Sequence, residues 1–147
     1  MSGPHTLDTS VWVPYLRDRR YAASVEPLVE SGRAWLSSVV LLELYAGAIR
    51  VEDSRDVNEI RAAARSLGRL YHPTEDDLVV AGRILSQHAR RHGAIRPRDH
   101  SHDLLIAIGA ARTRSVLLTA NRRDMERWAL ALKRRAGLTL RVATPIP

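Results

Sequence analysis

Residues 34–47 read AWLSSVVLLELYAG, an apolar strand pattern that runs directly into an apolar helical one. We predict the strand over Ala34–Ser37 and the helix from Ser38 to about Ile49. Strands that alternate with helices in this way favour a parallel sheet covered on both faces.

The rest of the chain continues this alternation. Further strands are predicted at Thr6–Thr9, Ser115–Thr119 and Leu138–Val142. Further helices are predicted at Val11–Arg20, Glu26–Ser31, Asp53–Leu67, Thr74–His92, Ser101–Arg112 and Asn121–Ala136. Gly93 directly follows the helix that ends at His92 and is its predicted C-terminal cap. We therefore expect an α/β fold with a central, mostly parallel sheet of about four to five strands and helices on both faces.

Length and composition limit the possible architectures. The chain has 147 residues, of which 45% are hydrophobic, so we expect one domain over residues 1–147 with a real core. It contains no cysteine, which excludes disulfides, a thiolate nucleophile and cysteine-ligated metal centres. Residues 1–10 lack the pattern of a secretory signal, and the longest apolar run is Val39–Leu42. These features predict a soluble, cytoplasmic protein without a membrane segment.

The charge is unevenly distributed along the chain. Its formal value is +7, with nine basic residues against twelve acids in residues 1–77 and fourteen against four in residues 78–147. The two parts therefore carry −3 and +10. All basic residues but Lys133 are arginine, which suits bidentate phosphate contacts, although genome base composition could produce the same bias. A polyanionic partner such as nucleic acid is the expectation.

Glu43 is out of place in its helix. Three and four residues away it has Val39, Val40, Ala46 and Gly47, and no basic side chain is within local reach. Burying a carboxylate alone would be very costly. Glu43 must therefore pair with a distant group or line a cleft.

Other carboxylates, and one asparagine, stand next to strand ends or helix starts. Asp8 follows Leu7 in the first strand, and Asn121 and Asp124 follow the strand that ends at Thr119. Asp103 precedes the apolar run of its helix and could equally be a simple helix-start residue. Functional residues of open parallel sheets gather at the carboxyl ends of strands, so these groups could form one acidic pocket.

Two other interpretations of the sequence remain open. His88 and His92 are spaced i, i+4 and could bind zinc, but the basic residues between them favour a solvated helix face. Trp12, Trp35 and Trp128 could stack on bases in a non-catalytic RNA- or DNA-binding module, although such a module has no need of Glu43 among apolar neighbours.

Four sequence blocks, taken together, resemble a known family. They are LDTSV at 7–11, SSVVLLEL at 37–44, DLLIA at 103–107 and LTANRRD at 118–124. Their order and spacing are similar to those of PIN-domain ribonucleases, and more narrowly of VapC-type toxins of bacterial toxin-antitoxin pairs. The resemblance covers nearly the whole chain and implies a single PIN-like domain.

The resemblance also implies a catalytic site. Asp8, Glu43 and Asp103 would be the acidic triad that binds Mg²⁺ or Mn²⁺, with Asn121 at the fourth position. Asn121 carries no charge, so Asp124 is an alternative fourth ligand, and Asp99 is a substitute ligand near Asp103. Met125 stands where relatives usually have phenylalanine. The supporting hydroxyl groups would be those of Ser10 and Thr119.

The implied activity is cleavage of RNA by metal-activated water. The implied partners are the RNA, a small cognate antitoxin and a second copy in a homodimer. Candidate phosphate contacts are Arg96, Arg98, Arg112, Arg122 and Arg123. The alternative within the same family is a PIN-type housekeeping nuclease that processes RNA and has no antitoxin.

Overall fold

The computed structural model describes residues 2–93 and 96–147, and the side chains of all of these except residues 97–99. The five strands in these ranges are β1 (His5–Leu7), β2 (Ala34–Ser37), β3 (Leu70–Tyr71), β4 (Val116–Leu118) and β5 (Arg141–Ala143). The seven helices in the same ranges are α1 (Thr9–Asp18), α2 (Ala22–Glu30), α3 (Ser38–Gly47), α4 (Val51–Ser66), α5 (Glu75–His92), α6 (Pro97–Arg112) and α7 (Arg122–Ala136).

All strand pairings are parallel, and the strands lie in the order β3-β2-β1-β4-β5. The central strand, β1, pairs with β2 through His5 and Ala34 and with β4 through Leu7 and Leu118. Crossover helices connect successive strands, as parallel pairing requires. The predicted α/β fold with a sheet of four to five strands is confirmed.

The sheet is covered on both faces. His5 and Leu7 project from one face of β1 and Thr6 from the other, and all three are almost completely buried. Helix α6 is central to the core, since Leu104 and the run Ile106–Ala110 are inaccessible to solvent or nearly so. A helix hidden on several sides in this way belongs inside the protein rather than on its surface.

Several predicted boundaries were wrong. Strand β1 ends at Leu7 rather than Thr9, because Asp8 caps α1 by accepting a hydrogen bond from the backbone N–H of Thr9. Helix α6 begins at Pro97 rather than Ser101. Proline is tolerated in the first turn of a helix because the backbone N–H that it lacks would form no helical hydrogen bond there. Helix α2 begins at Ala22 rather than Glu26.

The sheet edges also differ from the prediction. Strand β3 was not predicted, because two residues are too few to show a periodicity. Strand β5 begins at Arg141, three residues later than expected. Helix α5 agrees with the prediction, with Thr74 as its cap and Gly93 following it at φ 88°. Within the described residues, no helix has the length and apolar character needed to cross a membrane.

Asp77 is a buried carboxylate at the start of α5. It accepts hydrogen bonds from the hydroxyl of Tyr71, from Nε of Arg112 at 3.0 Å and from the backbone N–H of Thr74 at 3.1 Å. Burial raises its pKa, but these bonds together outweigh burial and leave the pKa below its ordinary value. Asp77 therefore joins the start of α5 to β3 and α6.

Candidate active site

The candidate site lies at the carboxyl ends of β1 and β4. Asp8 directly follows β1, and its backbone N–H donates to the carbonyl of Leu118 at 3.0 Å, which continues the ladder between the two strands. Thr119 directly follows β4. Because the two strands are parallel neighbours, the residues after them meet at one edge of the sheet.

Asp8 is fixed by three hydrogen bonds and is 4% exposed. Its Oδ2 accepts from the hydroxyls of Ser10 and Thr119, each at 2.8 Å, and its Oδ1 accepts from the N–H of Thr9 at 2.8 Å. The two hydroxyls accept in turn from the backbone N–H groups of Ala120 and Asn121, both at 3.0 Å. Each hydroxyl proton is therefore directed at Asp8.

Glu43 extends from α3 toward the same edge. Its Oε1 accepts a hydrogen bond from the hydroxyl of Thr9 at 2.7 Å, and its Oε2 lies 3.8 Å from Nδ1 of His102. Its side chain is 30% exposed. Glu43 is therefore bonded to the residue that follows Asp8, which explains a carboxylate within an apolar helix.

Asp103 brings α6 into the site. Burial raises its pKa to about 6, and the negative charges of Asp8, Glu43 and Asp124 contribute to the increase. These charges act on Asp103 only because they are close to it. The structure thus gathers the predicted acidic triad and Asp124 in one region.

Asn121 and Asp124 lie at the start of α7. Nδ2 of Asn121 donates to Oδ2 of Asp124 at 3.0 Å, and Oδ1 of Asp124 lies 3.8 Å from Nη2 of Arg127. Asn121 thus orients Asp124, and the charge of Asp124 reaches Asp103. Of the two candidates for the fourth position, Asp124 contributes the negative charge.

The oxygen ligands of the site suit a hard divalent cation. Its four carboxylates, Asp8, Glu43, Asp103 and Asp124, offer the oxygens that Mg²⁺ and Mn²⁺ prefer. Burial raises the pKa of Asp103, and the repulsion from the neighbouring carboxylates, which a cation would offset, adds to the increase. As the side chains stand, no three Asp, Glu or His groups among the described residues are close enough to hold one ion. The fit is therefore one of ligand chemistry and charge.

The predicted phosphate contacts are in different environments. Arg96 and Arg123 are exposed, and Nε of Arg122 is 3.0 Å from Oε1 of Glu126. Arg112 donates to the buried Asp77 and lies nine residues along α6 from Asp103, or about 14 Å, so we remove it from the predicted interface. The side chains of Arg98 and Asp99 lie outside the described residues.

Two polar residues of the site were not predicted, Thr9 and His102, and both contact Glu43. Thr9 stands between two predicted site residues, Asp8 and Ser10, and this position was the available signal. His102 precedes Asp103 in the sequence, but the approach of its side chain to Glu43 depends on how α6 packs against α3. Both contacts arise from helix packing rather than from sequence spacing.

Comparison with known proteins gives one family match and several fold matches. The family model described as "PIN domain" matches residues 6–130. Comparison with curated protein sequences gives no match.

Solved structures with the same fold cover nearly the whole chain. A DNA-bound VapBC from Salmonella typhimurium matches with a TM-score of 0.63 and 21% identity over 99% of this chain and 100% of that one. VapBC2 from Rickettsia felis, bound to a promoter DNA fragment, matches with a TM-score of 0.62 and 22% identity over 95% and 98%. FitAB bound to the IR36 DNA fragment matches with a TM-score of 0.63 and 20% identity over 96% and 94%.

Proposed function

This chain belongs to the PIN domain family, and we propose that it is an Mg²⁺- or Mn²⁺-dependent endoribonuclease. Members of this family are nucleases that generally use divalent metal ions. The observation that carries the proposal is the gathering of three carboxylates, Asp8, Glu43 and Asp124, near Asp103, whose pKa burial and their charges raise to about 6. A binding module without catalysis would have no use for such repulsion at the edge of its sheet.

Asp8 and Asp103 are proposed to bind the ion directly, with Asp124 or Asn121 at the fourth position. Ser10 and Thr119 orient Asp8, because both of its hydroxyl partners are themselves fixed by the backbone. When bound, the ion would supply Lewis acidity that promotes ionisation of water and offsets charge on the phosphodiester.

Glu43 is proposed to orient the attacking water, either at the ion or beside it. Thr9 occupies Oε1 of Glu43, which leaves Oε2 to accept a hydrogen bond from that water. The water attacks phosphorus, the phosphodiester P–O bond breaks, and the departing oxygen takes up a proton. Arg96, Arg98, Arg122 and Arg123 are the proposed contacts to the rest of the RNA backbone.

RNA cleavage in the presence of Mg²⁺ or Mn²⁺ tests this function. We expect Asp8→Asn, Glu43→Gln and Asp103→Asn each to lower the cleavage rate by at least about a hundredfold, while the exposed control Asp18→Asn cleaves normally. EDTA should abolish cleavage, and added ion should restore it. Cleavage that survives these substitutions or EDTA would refute the mechanism.

We further propose that the protein is the toxin of a bacterial toxin-antitoxin pair. The support is that structures with the same fold are VapBC and FitAB complexes. In this proposal, residues 1–147 form one nuclease domain that acts in the cytoplasm, forms a homodimer and is inhibited by a cognate antitoxin. Expression of the chain alone should arrest growth, and coexpression with the product of a neighbouring small reading frame should relieve the arrest. A housekeeping nuclease would cause no such arrest.

An apolar groove supports a protein partner. It has a volume of about 500 Å³ and lies between α1, α2, β2 and α4. Its walls include the apolar side chains of Leu36, Ile60 and Leu67, with Asp56 and Glu59 at α4. Leu67 is 56% exposed, so part of this apolar surface is accessible. We propose it as the contact surface for the antitoxin.

A further inference from the structure

A second groove lies between α5 and α7. It has a volume of about 150 Å³. Its basic lining residues are His88, Arg91 and His92 from α5 with Arg127, Arg134 and Arg135 from α7. No acidic residue is among the residues that line it. All charged residues of the groove are therefore basic, and they lie beside the apolar side chains of Ile84, Leu130 and Ala131.

The positive charge in this groove is largely unneutralised. Within the described part of the chain, Arg91, Arg134 and Arg135 form no ion pair with an acid, and Arg127 is 3.8 Å from Asp124. Burial lowers the pKa of His88, and the positive charges of His92 and Arg127 lower it further. A bound anion would offset this repulsion.

The wall of the groove is rigid where the two helices meet. The indole of Trp128 is 1% exposed, with the His88 ring centroid 5.5 Å and the His100 ring centroid 5.7 Å from its own. The guanidinium of Arg127 lies over the same indole, 4.6 Å from the ring centroid. The packed indole thus holds His88 and Arg127 in place.

The groove adjoins the candidate active site through Arg127. Arg127 reaches Asp124 of the carboxylate cluster, and His100 stands three residues before Asp103 on α6. From Asp124, α7 runs eleven residues to Arg135, which is about 16 Å. This length can accompany several successive phosphates of a nucleic-acid strand.

We propose that the α5–α7 groove binds the phosphodiester backbone of the RNA substrate, next to the nucleotide that is cut. The identity of this ligand rests on the proposed ribonuclease function. An acidic protein segment would also suit arginine, but the contact of Arg127 with Asp124 places the groove next to the carboxylate cluster and favours a strand that passes both. None of the residues that line this groove is among the phosphate contacts predicted from the sequence.

RNA-binding measurements on an inactive protein test the groove directly. The background is Asp103→Asn, and the probe is a single-stranded RNA of about 16 nucleotides, measured by fluorescence anisotropy between about 50 and about 200 mM salt. The groove variant carries Arg91→Gln, Arg134→Gln and Arg135→Gln. The control carries Arg55→Gln, Arg61→Gln and Arg65→Gln, three exposed arginines of α4 with the same total change in charge.

We expect the groove variant to lose affinity at least about tenfold and its salt slope to fall by about 2, since each single-strand phosphate contact contributes about 0.7. The control variant and a triple Arg→Lys groove variant should keep the original slope. A groove variant with the slope of the control would overturn the proposal. Retained RNA binding combined with lost binding of poly-L-glutamate would overturn it too, in favour of an acidic protein partner.

The same proteins separate this inference from the nuclease proposal. Groove-dependent RNA binding by a protein that never cleaves RNA would support the groove and refute the nuclease. If the wild type cleaves RNA and the groove substitutions leave RNA binding unchanged, the nuclease proposal is supported and the groove proposal is refuted.

Discussion

The hydroxyl of Thr9 donates a 2.7 Å hydrogen bond to Oε1 of Glu43, and its backbone N–H donates to Oδ1 of Asp8. One residue therefore contacts two carboxylates of the site from α1. The backbone bond survives any side-chain substitution, whereas the hydroxyl bond can be removed alone. Thr9 is thus a positioning residue whose role can be tested in isolation.

Thr9→Val should lower the cleavage rate about tenfold, because a hydrogen bond to a charged group contributes about 1.5 kcal/mol. Thr9→Ser should restore most of the rate, since it keeps the hydroxyl. The measurement is kcat and KM for both variants beside the wild type. A loss in Thr9→Ser equal to that in Thr9→Val would contradict a role carried by the hydroxyl alone.

The double variant Ser10→Ala/Thr119→Val should bind Mn²⁺ about 10- to 100-fold more weakly, as is usual when groups that orient a ligand are lost. Asp8 would keep only its bond from the N–H of Thr9. Calorimetric titration with Mn²⁺ measures the change, with Thr139→Val as the exposed control. Unchanged affinity would show that Asp8 does not need these hydroxyls.

Asp103→Asn should stabilise the ion-free protein above pH 6 by about 1–3 kcal/mol. The folded state raises the pKa of Asp103 from its ordinary value of 3.8 to about 6, so the wild type loses stability as pH rises between these values. Below about pH 4 the carboxyl is protonated in both states and the advantage of the variant should vanish. Urea unfolding in EDTA across this range is the measurement, and a pH-independent difference would contradict it.

Asp77→Ala should destabilise the protein by about 3–5 kcal/mol, because it leaves Arg112 without its buried partner. Tyr71→Phe should cost about 1 kcal/mol, since it removes one hydrogen bond and keeps the ring. The exposed neighbour Asp76 provides the control, Asp76→Ala. Urea unfolding of the three variants orders these effects, and similar values for Asp77→Ala and Asp76→Ala would exclude a structural role for the buried carboxylate.

Leu67→Glu should weaken antitoxin binding at least about tenfold, because it places a charge in the apolar groove. Leu78→Glu is the matched control: Leu78 is 55% exposed, Leu67 is 56% exposed, and Leu78 does not line that groove. The measurement is the amount of the proposed cognate antitoxin that copurifies with each variant. Equal recovery with both variants would place the antitoxin elsewhere.

The sequence predicts the parts of this protein whose signals are local. The strand and helix of residues 34–47 are visible because apolar periodicity is local, and Glu43 is conspicuous because nothing near it in sequence could neutralise it. Strand β3 has two residues and no such signal. The bond from Thr9 to Glu43 and the pairing of Arg112 with Asp77 could not be predicted, because each depends on how distant helices pack.

The hydrogen bond from Thr119 to Asp8 joins residues that are 111 positions apart. During synthesis Asp8 leaves the ribosome early, whereas β4 and the hydroxyl of Thr119 follow only after six of the seven helices in the described ranges. Folding of the earlier segments therefore leaves Asp8 without this partner, and without the backbone groups of Ala120 and Asn121 that direct it. A nascent chain that ends before Thr119 cannot complete this network, so the site can assemble only after helices α1 to α6 have been synthesised.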